Sequence, residues 1–520
     1  MQDRRPWILA GLAALGPFLW LLLHFEWTCD DAFISFRYAK HLARGDGLVF
    51  NPGESPPVEG FSNLLWVLWL TPWQAAGVSL PAVASWTSSL CGLGLVLLVT
   101  RLATLRLDLG AWGAVATALF LVTLPPFAIW ATSGLETMPF ALAVFGVYAA
   151  LTFDPERPRP FVAATCAVLA ALLRADGPLW CGFAFLSALL PGYWEGRGRL
   201  LKAVLVAGGI LSVAVALQLL ARQAYFGEWM PNTARIKAGF SSLRVERGWN
   251  YLVSSLLAVP SLGLVVLLAS FGPLARHSRA ALLPSALVFV VAAATYAVLV
   301  GGDFMAMGRF LVPALPFVAL LFAVLCHALQ RAWLVLPLAA AVVALGLLAA
   351  FDRLPIDDAT RQRFHFRWNK PEARSEVEQW ENMVMQATVW ELDGRALALH
   401  TEPGESIVRG NVGAVGYFSE LVIHDLNGLV SPEVADGSEP LERASPGHDR
   451  RVQPAFFYDR RPTYLSALLA FEGTPPAAGL TPEARRLMQR GELAQERYPL
   501  SEADGFPPNS ELRLLRFLRD

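Results

Sequence analysis

The chain has 520 residues, of which 55% are hydrophobic and only 16% are charged. The mean hydropathy of +0.44 is far from the balance of a soluble domain, so the composition predicts a membrane protein. The formal net charge of −1 gives no sign of a polyanionic partner, and no nucleic acid is expected to bind.

The N-terminal segment predicts a retained first transmembrane helix. Arg4 and Arg5 precede an apolar run over residues 7–25, which is longer than the core of a signal peptide and has no small-residue cleavage site after it. The two arginines predict a cytoplasmic N-terminus.

Further apolar runs bring the prediction to about eleven membrane crossings. They cover residues 80–101, 111–130, 134–153, 160–173, 178–193, 201–221, 250–271, 281–300, 309–327 and 332–351. Residues 62–77 are apolar and rich in tryptophan, but a crossing there would invert every later loop, so a re-entrant or interfacial segment is predicted. Residues 33–41 carry apolar side chains at helical spacing, which predicts a short amphipathic helix on the membrane surface.

Charge divides the loops into two sets. Arginine-rich loops such as RLATLRLD and EGRGRLLK are typical of the cytoplasmic side, and the alternate loops then lie outside. From residue 352 onward the chain carries more than half of its charged residues and no run long enough to span a bilayer. The sequence therefore predicts a transmembrane domain over 1–351 and an extracytoplasmic soluble α/β domain over 352–520, with β-rich runs at 406–429.

Two adjacent carboxylates, Asp30 and Asp31, directly follow the first hydrophobic segment in an outer loop. A carboxylate suits a general base that deprotonates a hydroxyl, and the mutual repulsion of two such groups raises at least one pKa. One of the pair could instead cap the amphipathic helix while the other is catalytic. We favour Asp31 as the base, with the other carboxylate orienting the acceptor or Arg37.

The other outer loops also carry polar residues at membrane depth, where such residues are by default a functional-site hypothesis. Their arginine and lysine side chains suit a phosphate at the headgroup level. Arg174 with Asp176 could equally be a structural ion pair, and Arg309 or Lys237 an interfacial anchor. The candidate substrate-binding residues are Arg37, Glu136, Arg174, Asp176, Arg235, Lys237, Asp303 and Arg309.

No metal site is predicted. The five cysteines, Cys29, Cys91, Cys166, Cys181 and Cys326, are scattered without metal-type spacing, and His24 is interpreted as an interfacial residue. No cofactor is therefore expected, although a divalent metal requirement is left open.

The motifs together resemble a known family. DDAFISFRYAKHLARGDGLVFNPGE, VEGFSNLLW, SGLETMPF, LLRADGPLW, FGEWMPNTARIKAG and GGDFMAMGRF occur in the order typical of integral-membrane glycosyltransferases of the GT-C class. The closest likeness is to the family that contains the mycobacterial terminal arabinofuranosyltransferase. The resemblance implies a polyprenyl-phosphate sugar donor, with arabinofuranose among the candidate sugars. It also implies a glycan or glycolipid acceptor of the cell envelope, contact with membrane lipid, a bacterial cytoplasmic membrane location and a catalytic role for Asp30 and Asp31.

Three functions are compatible with the sequence. The leading hypothesis is a membrane-bound glycosyltransferase; if it retains anomeric configuration, the carboxylate would act as a nucleophile rather than a base. A lipid or solute transporter would also have many helices, but its charges usually lie near the bilayer midplane in repeated halves. A binding module on an inactive membrane base is the third.

Overall fold

The computed structural model describes residues 5–189, 197–236, 241–271, 281–329, 331–439, 441 and 443–518. Its first part is helical: α1 Pro6–His24, α2 Asp30–Arg44, α3 Leu64–Ala75, α4 Leu80–Leu107, α5 Ala111–Val122, α6 Pro125–Thr132, α7 Thr137–Thr152, α8 Pro160–Leu173, α9 Gly177–Leu189, α10 Arg197–Phe226, α11 Asn232–Ile236, α12 Ser242–Ala258, α13 Pro260–Phe271, α14 Leu282–Leu299, α15 Leu315–Leu329 and α16 Ala332–Ala350. The chain is a multi-pass membrane protein, as predicted.

The predicted count of eleven crossings is not confirmed. Among the described residues, six helical segments are long and apolar enough to span a membrane, one of them the stretch Arg309–Leu329 that ends in α15. The bent pairs α5 with α6 and α12 with α13 raise the number to at most eight. Helices α7, α8 and α9 are apolar but have only 16, 14 and 13 residues. A straight helix needs about 20 residues to cross a bilayer, so hydropathy alone overcounts where helices are short.

Two segments near the N-terminus were predicted not to cross. Helix α3 has 12 residues, fewer than a crossing needs, and it exposes Leu68, Trp69 and Trp73. Helix α2 is present as an amphipathic helix, but the predicted surface position is wrong. Its residues from Ala32 to Ala39 are buried because α2 packs between α3 and the C-terminal part of the chain.

The C-terminal part forms a small α/β domain, as the sequence predicts. Its helices are α17 Asp358–Arg363, α18 Glu376–His400, α19 Gly413–Ser419, α20 Glu433–Gly437 and α21 Pro482–Gln489. Its strands are β1 Ser406–Arg409, β2 Val422–Asp425, β3 Tyr464–Ala470, β4 Leu493–Pro499 and β5 Glu511–Phe517.

These strands form one sheet in the order β2-β1-β3-β5-β4. Strand β1 is parallel to β2 and β3, whereas β5 is antiparallel to β3 and β4. In the β1–α19–β2 unit the two strands are joined by a helix of seven residues, and Ser406 pairs with Val422. The carboxyl ends of β1 and β2 therefore lie side by side.

One apolar core joins the membrane helices to this domain. The same cluster of buried side chains contains Phe25 after α1, Trp380 in α18 and Ala414 in α19. The Arg367 guanidinium and the Glu376 carboxylate form a buried ion pair, with N–O distances of 2.8 and 2.9 Å, and Glu376 accepts a hydrogen bond from the Met307 backbone N–H at 2.6 Å. These bonds fix the loop before α15 to the C-terminal domain.

Candidate active site

The structure brings polar residues from separate predicted outer loops into one cavity of about 220 Å³, here called the arginine chamber. Its lining includes Asp31, Glu136, Arg174, Asp176, Tyr296 and Arg309. Most of these side chains lie at or near the end of an apolar helix, whereas Asp31 lies at the start of the amphipathic α2. The chamber is therefore assembled by the meeting of helix ends rather than by any single motif.

Arg174 and Asp176 form a two-point ion pair in the turn between α8 and α9. The Arg174 Nε and Nη2 atoms each donate to a different Asp176 oxygen at 2.8 Å. Asp176 also accepts from the Tyr296 hydroxyl at 2.6 Å and from the Trp180 indole N–H at 3.1 Å. This network fixes the guanidinium plane, which lies between the rings of Phe140 and Phe310.

Glu136 lies at the start of α7 and is 5% exposed. It accepts a hydrogen bond from the Asn63 amide at 2.7 Å and lies 3.9 Å from Arg174. The turn before it requires Gly134, whose φ is +81° and whose missing Cβ would lie 3.0 Å from the Ala32 side chain. The close approach of this turn to α2 is what brings Glu136 near the acidic pair.

Arg309 is held by Asp303, at an N–O distance of 2.6 Å, and lies over the rings of Trp130 and Phe310. The loop that carries them needs Gly302, because its φ is +75° and a Cβ there would lie 2.6 Å from Tyr251. Asp303 does not line the chamber; it orients Arg309, which does.

The adjacent carboxylates have different surroundings. Asp30 accepts a hydrogen bond from the Ala414 backbone N–H at 2.8 Å, so it caps α19 rather than its own helix. Its burial, reinforced by the charge of Asp31, raises the pKa of Asp30 to about 7, although the α19 N–H groups oppose this. The carboxylate of Asp31 makes no hydrogen bond with another described residue.

Asp31 lines a second cavity as well. This cavity, here called the domain cleft, has a volume of about 140 Å³ and lies between α2, α18 and the carboxyl ends of β1 and β2. Asp31, Ile34 and Leu429 line both cavities. The unpaired carboxylate therefore lies where the arginine chamber meets the domain cleft.

Apart from Asp30 and Asp31, sequence reasoning missed the polar residues of the domain cleft, which include Gln386, Trp390, Asn411, Asp425, Asn427 and His448. Asn411 and Asn427 follow β1 and β2, and ligands of open parallel sheets usually bind at that edge. The glycine turns at 406–429 were the available signal. Asp425 itself organises the turn after β2 by accepting from the backbone N–H groups of Asn427, Leu429 and Val430, and burial raises its pKa to about 6.

Two of the candidate residues make contacts that differ from the prediction. Arg37 is 1% exposed and donates to the backbone oxygens of Phe50, Gly416 and Leu421, so it is a structural connection between α2 and the C-terminal domain rather than a substrate ligand. Arg235 lines neither cavity and pairs with Glu228 and Asp436. Lys237 lies outside the described residues.

No three His, Cys, Asp or Glu side chains lie close enough to hold a metal ion within the part of the chain that is described. All five cysteines are free thiols.

Comparison with solved structures defines the fold. The crystal structure of ArnT from Cupriavidus metallidurans bound to undecaprenyl phosphate aligns with a TM-score of 0.57, covering 98% of each chain at 14% sequence identity. The apo state of the same protein aligns with a TM-score of 0.55. The chain therefore has the GT-C fold that the sequence predicts.

Sequence comparison confirms the resemblance to the arabinofuranosyltransferases. The terminal beta-(1->2)-arabinofuranosyltransferase of Mycobacterium tuberculosis is 32% identical over 324 residues, or 54% of this chain. The chain spans about half the length of that relative, 49%. Residues 377–502 match a family described as a domain of unknown function (DUF8728).

Proposed function

We propose that the protein is a membrane glycosyltransferase that moves a sugar from a polyprenyl-phosphate donor to a glycan acceptor outside the cytoplasmic membrane. The observation that carries this proposal is the position of Asp31. Its carboxylate has no described hydrogen-bond partner and lies between a chamber that holds two arginines and a cleft rich in amide side chains.

In the proposed reaction the arginine chamber holds the donor phosphate next to Arg174 and Arg309. Asp31 takes the proton of an acceptor hydroxyl that enters from the domain cleft. The acceptor oxygen then bonds to the anomeric carbon while the bond from that carbon to the phosphate oxygen breaks. The polyprenyl phosphate leaves with the electron pair, and the arginines stabilise its growing negative charge.

The relatives support the class of donor. ArnT has been crystallised with undecaprenyl phosphate, and the mycobacterial relative is named for arabinofuranose transfer. We infer a polyprenyl-phosphate pentose, with arabinofuranose as the first sugar to test. The alternation of arginine-rich loops supports placing both cavities and the C-terminal domain on the extracytoplasmic side of a bacterial inner membrane.

The test replaces Asp31 and its neighbour separately. We expect Asp31→Asn to bind donor normally and to lose turnover by about 10²–10⁴-fold, which is the usual contribution of a general base. Asp30→Asn keeps an oxygen for the Ala414 N–H and is expected to lose less than about tenfold. Glu26→Gln, an exposed acid close by, is the matched control.

Two measurements cover the unknown substrates. Mass spectrometry of lipid-linked sugars and envelope glycans, with and without the gene, identifies the donor that accumulates and the glycan that loses a residue. Purified protein in detergent is then assayed with that donor. Near-normal turnover in Asp31→Asn would remove Asp31 from the chemistry, and activity confined to sealed vesicles would indicate a transporter.

A further inference from the structure

The domain cleft continues away from Asp31 into a third cavity of about 300 Å³, here called the outer groove. The two cavities share several lining residues, among them Phe304, Gln386, Trp390 and Asn411. A ligand in the outer groove would therefore reach Asp31 through the domain cleft. Of the motifs quoted above, only GGDFMAMGRF reaches this groove, through Phe304.

One wall of the outer groove is a single face of α18. Gln379, Asn382, Gln386 and Trp390 all line it, at spacings of three, four and four residues. Side chains at these spacings lie above one another on a helix, so the face presents three amides and an indole ring in a row. Asn411, two residues after the end of β1, also lines the groove.

These amide side chains have no described hydrogen-bond partner within the protein. The side chains of Gln379, Asn382, Gln386 and Asn411 make no hydrogen bond with any other described residue. Gln379 is only 7% exposed, a degree of burial at which amides are normally paired. Each amide offers two donor hydrogens and an acceptor oxygen, which matches the mixed donor and acceptor character of sugar hydroxyls. Trp390 adds a flat apolar surface for a sugar ring.

The outer groove is also positively charged. Arg367, Lys370 and Arg451 line it, and no aspartate or glutamate does so among the described residues. Arg367 is neutralised by its buried pair with Glu376. Lys370 and Arg451 are exposed and make no described ion pair. Two unpaired cations beside a row of amides favour a ligand that combines hydroxyl groups with negative charge.

We infer that the outer groove is the acceptor subsite and that the acceptor is an anionic oligosaccharide. Its sugar units lie along the amides and Trp390, an acidic substituent contacts Lys370 and Arg451, and the hydroxyl to be glycosylated extends through the domain cleft to Asp31. This inference rests on the proposed function, and it adds the chemical class of the acceptor and the residues that select it. The acidic group is a carboxylate or a phosphate.

Direct binding to the purified full chain in detergent tests the inference. The probes are a galacturonic acid tetramer, a phosphorylated mannose oligosaccharide and a neutral galactose tetramer. We expect at least one anionic probe to bind tenfold or more tightly than the neutral one, and whichever binds identifies the acidic group. The double variant Lys370→Gln, Arg451→Gln should remove this preference, and Gln386→Ala with Asn411→Ala should weaken binding of the preferred probe at least fivefold.

The matched control is Arg485→Gln with Arg486→Gln, which removes two exposed positive charges from α21, outside the groove. Its preference should stay that of the unsubstituted protein. Equal loss in both charge variants, equal binding of all three probes or no binding at all would overturn the inference. Hydrolysis of the donor by water, which needs Asp31 but no acceptor, separates the two proposals. If hydrolysis persists while the binding tests fail, the acceptor subsite is wrong and the glycosyltransferase stands.

Discussion

The arginine chamber and the outer groove differ in whether their polar side chains have partners within the protein. In the chamber each arginine is already paired, Arg174 with Asp176 at 2.8 Å and Arg309 with Asp303 at 2.6 Å. In the groove the amides of Gln379 and Gln386 have no described partner, and neither do the cations of Lys370 and Arg451.

The difference follows from the surroundings. A cation held among apolar helices must be paired, because an isolated buried charge costs several kcal/mol. The pairing also fixes each guanidinium, so the chamber is preorganised for one small group of constant shape, such as a phosphate. A groove that water can enter carries no such requirement, and its amides can adapt to the varied hydroxyls of a glycan.

The largest expected effect comes from removing Arg37. This residue connects α2, which borders the arginine chamber, to the C-terminal domain, which carries the outer groove. In Arg37→Met the buried backbone oxygens of Phe50 and Leu421 lose their described donor, and each unpaired group costs about 1–3 kcal/mol. The Gly416 oxygen keeps the Glu420 backbone N–H. We expect a loss of at least about 2 kcal/mol in the free energy of unfolding, with earlier release of the C-terminal domain in limited proteolysis. Thermal unfolding in detergent measures the first effect.

Arg44 provides the control for that prediction. It connects the same two parts of the chain through an exposed ion pair with Glu420, at N–O distances of 2.6 and 3.0 Å. Exposed pairs contribute at most about 1 kcal/mol, so Arg44→Met should be nearly neutral. If the two variants unfold alike, Arg37 is not the connection described here, and a direct role at the substrate would have to be considered again.

The chamber itself can be tested by removing its charge in two ways. Arg174→Gln deletes a charged donor to the phosphate and leaves Asp176 unpaired. We expect donor affinity to fall about 10–100-fold, because hydrogen bonds to charged groups contribute roughly 1.5–3 kcal/mol. The double variant Arg174→Gln, Asp176→Asn should recover stability, because neither charge is then left alone, but it should not recover donor binding.

Titration with polyprenyl phosphate, followed by tryptophan fluorescence, measures that affinity. The informative result is the contrast between stability and binding in the double variant. Normal donor binding there would show that Arg174 and Asp176 are only a structural ion pair, which is the alternative that the sequence left open.

Sequence reasoning located the chamber because its residues contrast with their setting. Asp31, Glu136 and Arg174 are polar residues among apolar runs, and the alternation of loops predicted that they would share a side. Most residues of the domain cleft and the outer groove, which sequence reasoning missed, lack this contrast. Gln386 and Asn411 lie in a polar domain, where an amide carries no signal until the fold places α18 beside the ends of β1 and β2.

The errors have a related cause. The pattern of α2 correctly predicted an amphipathic helix, but a single sequence does not indicate whether water, lipid or another domain covers its outer face. Arg37 was assigned to substrate because it lies near the acidic pair in sequence. In the fold its side chain points into the domain contact, and only long-range contacts with Gly416 and Leu421 reveal that.

The smallest expected effect is a pH dependence of stability that distinguishes Asp30 from Asp31. The pKa of Asp30 is raised from 3.8 to about 7 in the folded protein. A raised pKa means that the protonated form is favoured by folding, so its contribution to stability is complete below about pH 4 and is lost as the pH rises through 7. In Asp30→Asn this side chain is neutral at every pH. The free energy of unfolding of the variant should therefore not fall with rising pH on account of residue 30.

We therefore compare thermal unfolding of Asp30→Asn and the unsubstituted protein between pH 5 and pH 8, with Glu26→Gln as the control. The difference in Tm should change by a few degrees at most, and in favour of Asp30→Asn toward pH 8. Other titrating groups, including Asp425, cancel in this difference because both proteins contain them. Parallel curves would show that Asp30 is ionised at its contact with α19. The pair would then carry two negative charges at the mouth of the arginine chamber, and the division between a docking and a catalytic carboxylate would lose its electrostatic basis.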